Sequence, residues 1–387
     1  MMPDVLEVAQ EKAQVQPLRD VRIEDIIGRP SAQLTLMGDV QGVQQRRIMV
    51  TGAAGSIGSE ICRELTRHRP TELILLDNNE SGLFDILSEL HTKHPELKLT
   101  PVLADVTHKD RLERIFARLV PEVIFHAAAY KHVPMLEGYP TEAVRVNIGG
   151  TRNVASLAQR YQARSFVLVS SDKAVNSSSV MGATKYICEK LVQALAQSVP
   201  QRTPRMTSVR FGNVVGSRGS VVPLFEKQIM HGGPITITDR RMTRYFMSIP
   251  EAAHLVIQAA CLTHSDDIFL LEMGERVLIV ELAERMVRLC GLRPHLDIEF
   301  KVTGLRPGEV LHENLLIPGE TRHQTEHPYI FALRSLPVDG LALLQEVEGL
   351  LGTAATGEDA LLREELLSLA KRAQQARSKR EGLATHI

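Results

Sequence analysis

The chain has 387 residues, 44% of them apolar, which is enough for a large hydrophobic core and more than one small domain needs. Its formal net charge is −1, so neither a basic nucleic-acid-binding surface nor an acidic solvating tail is indicated, and we expect no nucleic-acid partner. No run of about 18 apolar residues occurs, so we expect no membrane-spanning segment in this chain.

The cysteines are scattered and form no C-x-x-C pair. We identify no secretory signal at the start of the sequence, and this pattern is typical of reduced thiols in a protein core. We therefore predict a cytoplasmic location, no disulfide framework and no metal site. The cysteines are Cys62, Cys188, Cys261 and Cys290.

The first strong pattern in chain order is a strand, a glycine turn and a helix. Arg47–Thr51 is a predicted strand, and a helix is predicted to begin near Ser59. The glycines between them permit a tight turn and close backbone approach, and the helix N-terminus offers N–H groups to phosphate. The pattern predicts the diphosphate site of a dinucleotide. Its predicted contacts are Gly52, Gly55, Ser56, Ile57 and Gly58.

The second predicted strand, Glu72–Asp77, ends in an acid at the place where a ribose-binding carboxylate belongs. A carboxylate there accepts the 2′-hydroxyl of NAD and repels the 2′-phosphate of NADP, so Asp77 predicts NAD as the cofactor. The alternative interpretation is that Asp77 caps the following helix.

The alternation of strands and helices continues. Strands are predicted at Leu97–Leu103 and Glu122–His126, with helices at Asp110–Leu119 and Thr141–Tyr161. Successive βα units favour an α/β fold with a Rossmann-type, doubly wound parallel sheet.

Small and polar residues follow the third and fourth predicted strands. Ala127, Ala128 and Ala129 would let a flat ring or a pyrophosphate lie against the backbone. Asp105 is predicted either to meet an adenine amino group or to cap a helix. His126, on an apolar strand, is predicted to be a hydrogen-bonded core histidine.

Ser165–Ser170 is a predicted strand, followed directly by Ser171, Asp172 and Lys173. In an open parallel sheet, ligands bind at the carboxyl ends of strands. An acid and an amine side by side can act as proton donor and proton acceptor. The alternative is a solvated turn with an incidental ion pair.

In the helix predicted next, Met181 and Lys185 are four residues apart and share one face. Beyond it, Thr207–Phe211 is a predicted strand, and Gly212–Ser220 is a glycine-rich polar loop.

Three arginines lie in separate predicted loops: Arg218, Arg244 and Arg306. A guanidinium fork matches phosphate oxygens, so together they predict a substrate diphosphate site. For each arginine alone, a surface salt bridge is the alternative.

The pattern changes after the sixth predicted strand to amphipathic helices separated by loops, which indicates a smaller, mixed α/β substrate-binding domain. The C-terminal segment is rich in Leu, Ala, Glu, Lys and Arg and is predicted to form two helices. The predicted organisation is an extension at 1–45, a Rossmann domain at 46–212 and 238–275, a substrate-binding domain at 213–237 and 276–335, and a helical segment at 336–387.

Taken together, these patterns resemble the extended short-chain dehydrogenase/reductase superfamily, and within it the UDP-N-acetylglucosamine 4,6-dehydratases of bacterial polysaccharide and glycan biosynthesis. The resemblance covers about residues 21–320. The stretches that carry it are T-G-A-A-G-S-I-G-S-E from Thr51, H-A-A-A-Y-K-H-V-P from His126, S-S-D-K-A-V-N from Ser170, V-M-G-A-T-K from Val180, R-F-G-N-V-V-G-S-R-G-S from Arg210, M-T-R-Y-F-M from Met242 and G-L-R-P-G-E from Gly304.

The resemblance implies NAD as cofactor and a UDP-sugar as substrate, with a hydride that leaves C4 of the sugar and returns to C6. Lys173 would remove the C5 proton, Asp172 would protonate the departing C6 hydroxyl, and Ser171 would hydrogen-bond the 4-oxygen. Lys185 matches the lysine of the Y-x-x-x-K motif, which holds the nicotinamide ribose. Further implied contacts are Val106 and Asn147 for the cofactor, and Lys131, His132, Asn213 and Glu309 for the substrate.

The resemblance also implies a homo-oligomer, because relatives pair through the helix that carries the lysine motif. A subgroup of these dehydratases, typically large and membrane-tethered, shares Met181 at the place of the superfamily tyrosine. The chain is therefore expected to be cytoplasmic or the soluble part of a membrane-tethered protein.

A thioether cannot exchange the proton that a tyrosine would exchange. We hypothesise that Asp172, directly or through water, accepts the 4-hydroxyl proton and delivers it to the C6 leaving group. The alternatives are a 5-epimerising dehydratase or a 4-epimerase of a UDP-sugar, and a catalytically inactive nucleotide-binding relative.

Overall fold

The computed structural model describes residues 42–198, 204–262, 268–334 and 339–375. Most of the predicted N-terminal extension, residues 1–41, lies outside the described residues. A short helix predicted from the sequence at Val21–Ile27 falls in this part of the chain. Among the described residues, no helix is both long and apolar enough to span a lipid bilayer.

The first six strands occur in chain order close to their predicted positions, and further, mostly shorter strands follow them. They are β1 Arg47–Thr51, β2 Glu72–Asp77, β3 Leu99–Leu103, β4 Val123–His126, β5 Ser165–Val169, β6 Arg205–Arg210, β7 Asn213–Val214, β8 Ile235–Ile237, β9 Thr243–Arg244, β10 Phe246–Met247, β11 Ile268–Leu271, β12 Val277–Leu278, β13 Phe300–Val302, β14 Thr321–Gln324 and β15 Ile330–Arg334.

The helices alternate with the strands through the first half of the chain, and two helices form the last described part of it. They are α1 Ser56–Thr66, α2 Glu80–Lys93, α3 Lys109–Leu119, α4 Val133–Glu137, α5 Pro140–Ala143, α6 Gly150–Arg160, α7 Val180–Gln197, α8 Val221–Met230, α9 Ile249–Cys261, α10 Ile279–Leu289, α11 Gly340–Thr356 and α12 Asp359–Gln375.

In the described chain, one nine-stranded sheet has the order β3-β2-β1-β4-β5-β6-β11-β15-β14. The strands from β3 to β11 are parallel, and β15 and β14 are antiparallel at the edge. β2 is buried along its whole length, as a parallel strand covered on both faces must be. This topology confirms the predicted Rossmann-type fold, and the strand order reverses between β1 and β4, where such folds form a crevice.

Two hydrophobic cores cover the two faces of the sheet. On one face α1, α2 and α9 pack against the strands. On the other face α3, α6, α7, α11 and α12 do so. The sheet therefore forms the middle of three layers, and its carboxyl edge stays accessible to a ligand.

A third, smaller core lies beyond this edge and joins α8 and α10 to β8 and β13. Its members include Phe225, Ile229, Leu282 and Met286. Residues 321–334, predicted to belong to the smaller domain, add β14 and β15 to the large sheet. The predicted domain boundaries remain a proposal.

The helix expected at Thr141–Tyr161 is interrupted. A π-helical turn at Val144–Gly149 separates α5 from α6, and the short helix α4 before them had no counterpart in the sequence pattern. The interruption directs Asn147 toward the backbone of Tyr130, which neither the apolar period nor the helix propensity encodes.

The helix α7 is enclosed by its own chain. Every residue from Val180 to Ala196 is buried, and Leu343, Val347 and Leu366 of α11 and α12 belong to the same core. In this structure α11 and α12 pack against α7. The pairing of subunits through this helix, which the resemblance implied, and the oligomeric state itself remain proposals.

Candidate active site

A cleft of about 700 Å³ opens at the carboxyl edge of the sheet, between the large sheet and the smaller core. The turns after β1, β4, β5 and β6 line it, together with the segment 306–314. The predicted site residues on its walls are Gly52, Gly55, Ser56, Ile57, Gly58, Ala127, Ala129, Lys131, His132, Ser171, Asp172, Lys173, Met181, Lys185, Asn213, Arg218, Arg244, Arg306 and Glu309.

The glycine turn permits only glycine at two of its positions. Gly52 has φ +70°, and a Cβ on it would lie 2.7 Å from the Ala128 nitrogen. A Cβ on Gly58 would lie 2.0 Å from the Gly52 carbonyl oxygen. The helix α1 begins at Ser56 and not near Ser59 as expected, so Gly58 lies in its first turn.

The first turn of α1 has no side-chain cap and no acidic residue. Its N–H groups and the positive end of the helix dipole are thus left for an anion. The close-packed glycine turn and the small side chains of Ala127 and Ala129 fit a dinucleotide diphosphate at this point.

The Asp77 carboxylate stabilises the glycine turn through hydrogen bonds to the backbone. Its Oδ2 accepts a hydrogen bond from the Ala54 nitrogen at 2.9 Å, and its Oδ1 accepts one from the Asn79 nitrogen at 2.8 Å. Asn79, not Asp77, caps α2 by accepting from the Gly82 nitrogen. The alternative in which Asp77 is the helix cap is therefore wrong, although Asp77 itself does not line the cleft.

Ala128, Asp105 and Val106 also lie outside the cleft wall. The Asp105 carboxylate accepts hydrogen bonds from both the nitrogen and the hydroxyl of Thr107, and from the Asn78 side chain at 3.2 Å. Burial raises the pKa of Asp105, but these hydrogen bonds lower it more, so the pKa lies below its usual range. Asp105 therefore closes a turn, and its contact with an adenine remains a proposal.

Asn147, predicted to contact the cofactor, lies behind the wall as well. Its Oδ1 accepts from the Tyr130 nitrogen at 2.8 Å, and its Nδ2 donates to the Tyr130 oxygen and the Thr184 hydroxyl, each at 3.0 Å. With these atoms engaged, Asn147 holds the loop that follows β4 and does not reach into the cleft.

The acid and amine after β5 form the centre of the site. The Lys173 ammonium donates to Asp172 Oδ1 at 2.9 Å, to Glu313 Oε1 at 3.0 Å and to Asn213 Oδ1 at 3.1 Å. The Ser171 hydroxyl donates to Asp172 Oδ1 at 3.0 Å. Asp172 is only 1% exposed, so the alternative of a solvated surface turn is wrong.

Burial and the neighbouring Glu313 carboxylate raise the pKa of Asp172 to about 7, although Lys173 opposes them. Burial alone would lower the pKa of Lys173, but the carboxylates of Asp172 and Glu313 raise it. Near neutral pH the site thus holds an ammonium beside a carboxyl group that both gains and loses its proton.

Glu313 is the central residue that the sequence reasoning missed. It is 6% exposed, and it meets Arg244 Nε at 3.2 Å and Asn213 Nδ2 at 3.3 Å. Burial would raise the pKa of Glu313, but Lys173, a hydrogen bond with Asp172 and Arg244 lower it to about 2. The only sequence signal was an acid in the apolar stretch L-H-E-N-L-L, four residues beyond Glu309.

Two residues of α7, Met181 and Lys185, also line the cleft. Met181 is 2% exposed and offers no proton donor. The Lys185 ammonium donates to the Val169 oxygen at 2.9 Å, and burial lowers its pKa. His126 bonds Thr51 and Thr151 within the core, and burial lowers its pKa to about 3, consistent with a structural histidine.

The loop arginines differ in what remains available to a substrate. The Arg244 guanidinium is held by the carbonyl oxygens of residues 243, 310 and 311 as well as by Glu313. Arg306 pairs with Glu309 at 2.7 Å, and the two lie at the rim. Arg218 is exposed, and its backbone nitrogen donates to the Ser56 hydroxyl at 3.2 Å. Of the three guanidinium groups, that of Arg218 is therefore the most available to a ligand.

Lys131 and His132 follow β4 at the cleft mouth. Partial burial and the charge of Lys173 lower the pKa of Lys131, and partial burial with Lys131 lowers that of His132. The mouth is therefore lined by cationic and neutral nitrogen donors, which suit an anionic ligand.

The pattern of the polysaccharide biosynthesis protein family matches residues 48–335. The chain belongs to this family. Membership in the polysaccharide biosynthesis protein family confirms the resemblance that the motifs indicated.

Among curated proteins of this kind, the chain is 44% identical to "Capsular polysaccharide biosynthesis protein CapD" of Staphylococcus aureus, over 85% of this chain and 55% of that protein. It is 33% identical to "UDP-N-acetylglucosamine 4,6-dehydratase (inverting)" of Campylobacter jejuni subsp. jejuni serotype O:2, over 73% of this chain and 80% of that protein. The chain thus spans about half the length of the first of these relatives.

Among solved structures, Pen from Bacillus thuringiensis is 32% identical, with a TM-score of 0.70 over 76% of this chain and 89% of that one. A dTDP-glucose 4,6-dehydratase, DesIV from Streptomyces venezuelae, is 21% identical, with a TM-score of 0.61 over 70% of this chain and 88% of that one. The second likeness shows the shared fold alone.

Proposed function

We propose that this chain is an NAD-dependent UDP-N-acetylglucosamine 4,6-dehydratase that forms a UDP-4-keto-6-deoxy-N-acetylhexosamine for polysaccharide or glycan biosynthesis. The observation that carries the proposal is the buried Asp172–Lys173 pair, 2.9 Å apart, in the cleft that also holds the glycine turn. An acid–base pair is what elimination of water across C5 and C6 requires, and a simple oxidation at C4 does not require it.

The comparisons support this reaction class. One relative at 33% identity is named a UDP-N-acetylglucosamine 4,6-dehydratase, and the structure of DesIV, a dTDP-glucose 4,6-dehydratase with the same fold, contains NAD. In the present chain the uncapped start of α1 and the glycine turn suit the NAD diphosphate. Lys185 would hold the nicotinamide ribose.

The glycine turn and Lys185 would hold NAD, whose nicotinamide would supply a hydride acceptor for C4 and a hydride donor for C6. Ser171 would hydrogen-bond the 4-oxygen, where charge develops during this oxidation. The cleft is also lined by residues that would contact the UDP-sugar: Lys131, His132, Asn213, Arg218, Arg244, Arg306 and Glu309.

Asp172 is proposed to take the place of the missing tyrosine. With its pKa raised to about 7 by burial and Glu313, Asp172 is a carboxylate in a substantial fraction of molecules at neutral pH. The carboxylate would accept the 4-hydroxyl proton, directly or through water, and the resulting acid would protonate the departing C6 hydroxyl. Lys173 would remove the proton from C5, which the 4-keto group makes acidic.

A 4-epimerase is the second candidate, because a UDP-glucose 4-epimerase of Rickettsia canadensis is 32% identical over 70% of this chain. A 4-epimerase returns the hydride to C4 and has no use for an acid–base pair at C5 and C6. The buried Asp172–Lys173 pair therefore favours the dehydratase.

Mass spectrometry of UDP-N-acetylglucosamine, incubated with the purified chain and no added reductant, tests the proposal. We expect a product lighter by one water while NAD is unchanged, and proton NMR of that product would give its configuration at C5. Binding without a change in mass would contradict the dehydratase and favour an epimerase or an inactive relative.

A further inference from the structure

The first turn of α7 packs directly on the backbone that carries Lys173. A Cβ added to Gly182 would lie 2.5 Å from the Lys173 carbonyl oxygen and 2.2 Å from the Asn176 carbonyl oxygen. There is thus no room for a side chain between α7 and the 3₁₀ turn Asp172–Val175 at this point. Because the two segments are in close contact, a shift at the start of α7 must displace Lys173 as well.

Two side chains hold the start of α7 in place. The Ser179 hydroxyl, from the residue before the helix, accepts a hydrogen bond from the Gly182 nitrogen at 3.0 Å. The Glu137 carboxylate, at the end of α4, accepts one through Oε1 from the Val180 nitrogen at 2.7 Å. A carboxylate at the N-terminus of a helix also interacts favourably with the helix dipole. Glu137 therefore caps α7 from a different element.

The C-terminal helix α12 holds Glu137 in turn. Glu137 Oε2 accepts a hydrogen bond from the Arg363 guanidinium at 3.0 Å, and the Glu137 side chain is only 9% exposed. A carboxylate buried to this extent needs such partners, because an unpaired one would cost free energy. A second contact lies nearby, where the Ser177 hydroxyl donates to Gln374 Oε1 at 2.8 Å. Thus α12 contacts both Glu137 and the segment that leads from Lys173 to α7.

Glu137 itself lies behind the cleft wall. On its other side is Gly308, where an added Cβ would lie 2.9 Å from Glu137 Oε1 and 2.8 Å from a methyl carbon of Val133. Gly308 and Val133 line the cleft, as do Ser179 and Met181. One carboxylate therefore supports several parts of the wall without reaching the ligand space.

We propose that Glu137 is a positioning residue that acts through the first turn of α7 and holds Lys173 and Met181 in the geometry that the reaction needs, with Arg363 of α12 holding Glu137. The inference rests on the proposed dehydratase activity. In this role Glu137 exchanges no proton with the substrate. The inference gives a part in catalysis to α12, which lies beyond the residues 48–335 that the family pattern matches.

The expected effect on catalysis is separate from cofactor binding. A misplacement of a catalytic group by about 1 Å can cost 10²-fold in rate, so a shift of Lys173 should slow the elimination. The glycine turn belongs to β1 and α1, away from the contacts of Glu137. Lys185 lies one turn further along the buried helix α7, where its ammonium donates to the Val169 oxygen. A lower kcat with unchanged NAD affinity therefore distinguishes positioning from a general loss of structure.

Replacing Glu137 by Met tests the role, because the side chain keeps its length but loses the acceptor for the Val180 nitrogen. We expect kcat for water loss from UDP-N-acetylglucosamine to fall about tenfold or more. The affinity for NAD, measured by isothermal titration, should stay the same.

Two milder variants each keep one part of the arrangement. The amide oxygen of Glu137→Gln can still accept from the Val180 nitrogen. Arg363→Met, at a side chain that is 45% exposed, leaves the Glu137 carboxylate in place without its cation. Both should fold as the wild type does, and both should have a kcat between those of the wild type and Glu137→Met.

Hydrogen exchange, followed by mass spectrometry, tests the geometry without any substrate. In Glu137→Met the amides of residues 172–184 should exchange faster than in the wild type, whereas those of residues 48–60 should not change. Glu346→Met in α11 breaks an exposed pair with Arg372 and is the matched control. It should leave kcat, NAD affinity and exchange unchanged.

A wild-type kcat in Glu137→Met would overturn the inference, and so would equal losses of kcat and NAD affinity with faster exchange throughout the chain. A wild-type chain that removes no water would instead contradict the proposed function. The exchange comparison then still decides the role of Glu137, because unchanged exchange at residues 172–184 would overturn it and faster exchange confined to them would support it.

Discussion

At the scale of single residues, the site is decided by which side chains are buried together. Asp172 has a raised pKa because it is buried beside a second carboxylate, and Lys173 keeps its charge because it lies between the two. Met181 at the position of the superfamily tyrosine leaves Asp172 as the group next to the substrate oxygen in the proposed mechanism.

Replacing Asp172 by Asn should abolish even the first hydride transfer, because an amide cannot accept the 4-hydroxyl proton. We expect the rate to fall by at least about 10²-fold, with no absorbance of reduced nicotinamide in a stopped-flow mixture of enzyme, NAD and substrate. Asp239→Asn, at an exposed pair with Arg241, is the matched control. Reduced nicotinamide in the Asp172 variant would refute this assignment.

The pH dependence follows from the same carboxyl group. The pKa of Asp172 is raised to about 7, and the proposed reaction begins with its carboxylate form. The rate of hydride transfer should therefore rise with pH through about 7 and level off above it. Single-turnover rates across this range measure the effect, and a rate that falls over the same interval would contradict the order of proton transfers.

At the scale of elements, the strand–turn–helix unit around the glycines could be predicted because everything that defines it is local. Three glycines in seven residues, after an apolar strand, are enough to indicate a phosphate turn. The start of α1 was misplaced because the glycine-rich composition resembles a loop, whereas Gly58 is required inside the first helical turn by its approach to Gly52.

Replacing Gly58 by Ala should weaken cofactor binding, since the new Cβ would lie 2.0 Å from the Gly52 carbonyl oxygen and the turn would have to shift. We expect at least a tenfold (about 1.4 kcal/mol) loss in NAD affinity by isothermal titration. Gly349→Ala in α11, where a Cβ meets nothing, should leave affinity unchanged and stabilise the fold by about 0.5–1 kcal/mol. Equal affinities for both variants would contradict the fit of the turn.

Glu313 could not be predicted in this way. Its contact with Asn213 spans 100 residues of chain, and no spacing in the sequence encodes it. The π-helical turn that brings Asn147 to Tyr130 was equally invisible, because it arises from packing against neighbouring elements. The sequence thus predicts the main strands and helices of the Rossmann-type sheet and the parts of the site that lie close together in the chain, such as the glycine turn. Only the fold brings these parts together with distant residues such as Glu313.

A buried ion network joins β6 and α7 to the residue that precedes β14. The Arg210 guanidinium of β6 meets Glu189 of α7 at 2.7 Å and Glu320 at 2.8 Å, and Glu189 also accepts from Ser170. Replacing Arg210 by Met would leave two buried carboxylates without their cation. We expect a loss of about 3–5 kcal/mol in the free energy of unfolding, measured with urea.

The control for this prediction is Arg372→Met, which breaks an exposed pair with Glu346 and should change stability by about 0–1 kcal/mol. Similar unfolding midpoints for the two variants would show that the buried network contributes little.

At the scale of the whole molecule, the C-terminal helices are part of the main core. α11 and α12 bury the outer face of α7, the helix that carries Lys185. Ending the chain at residue 338 should expose this apolar face and cause self-association or a lower melting temperature, seen by light scattering and calorimetry. A chain ending at Gln375 retains both helices and should behave as the full chain. An unchanged, monodisperse truncated protein would contradict their structural role.

The proposed reaction is tested most directly with UDP-N-acetylglucosamine that carries deuterium at C4. We expect a product lighter by one water with the deuterium in its C6 methyl group, detected by deuterium NMR and mass spectrometry, because the same hydride leaves C4 and returns to C6. Deuterium that stays at C4, with no loss of water, would contradict the dehydratase and leave an epimerase or an inactive relative.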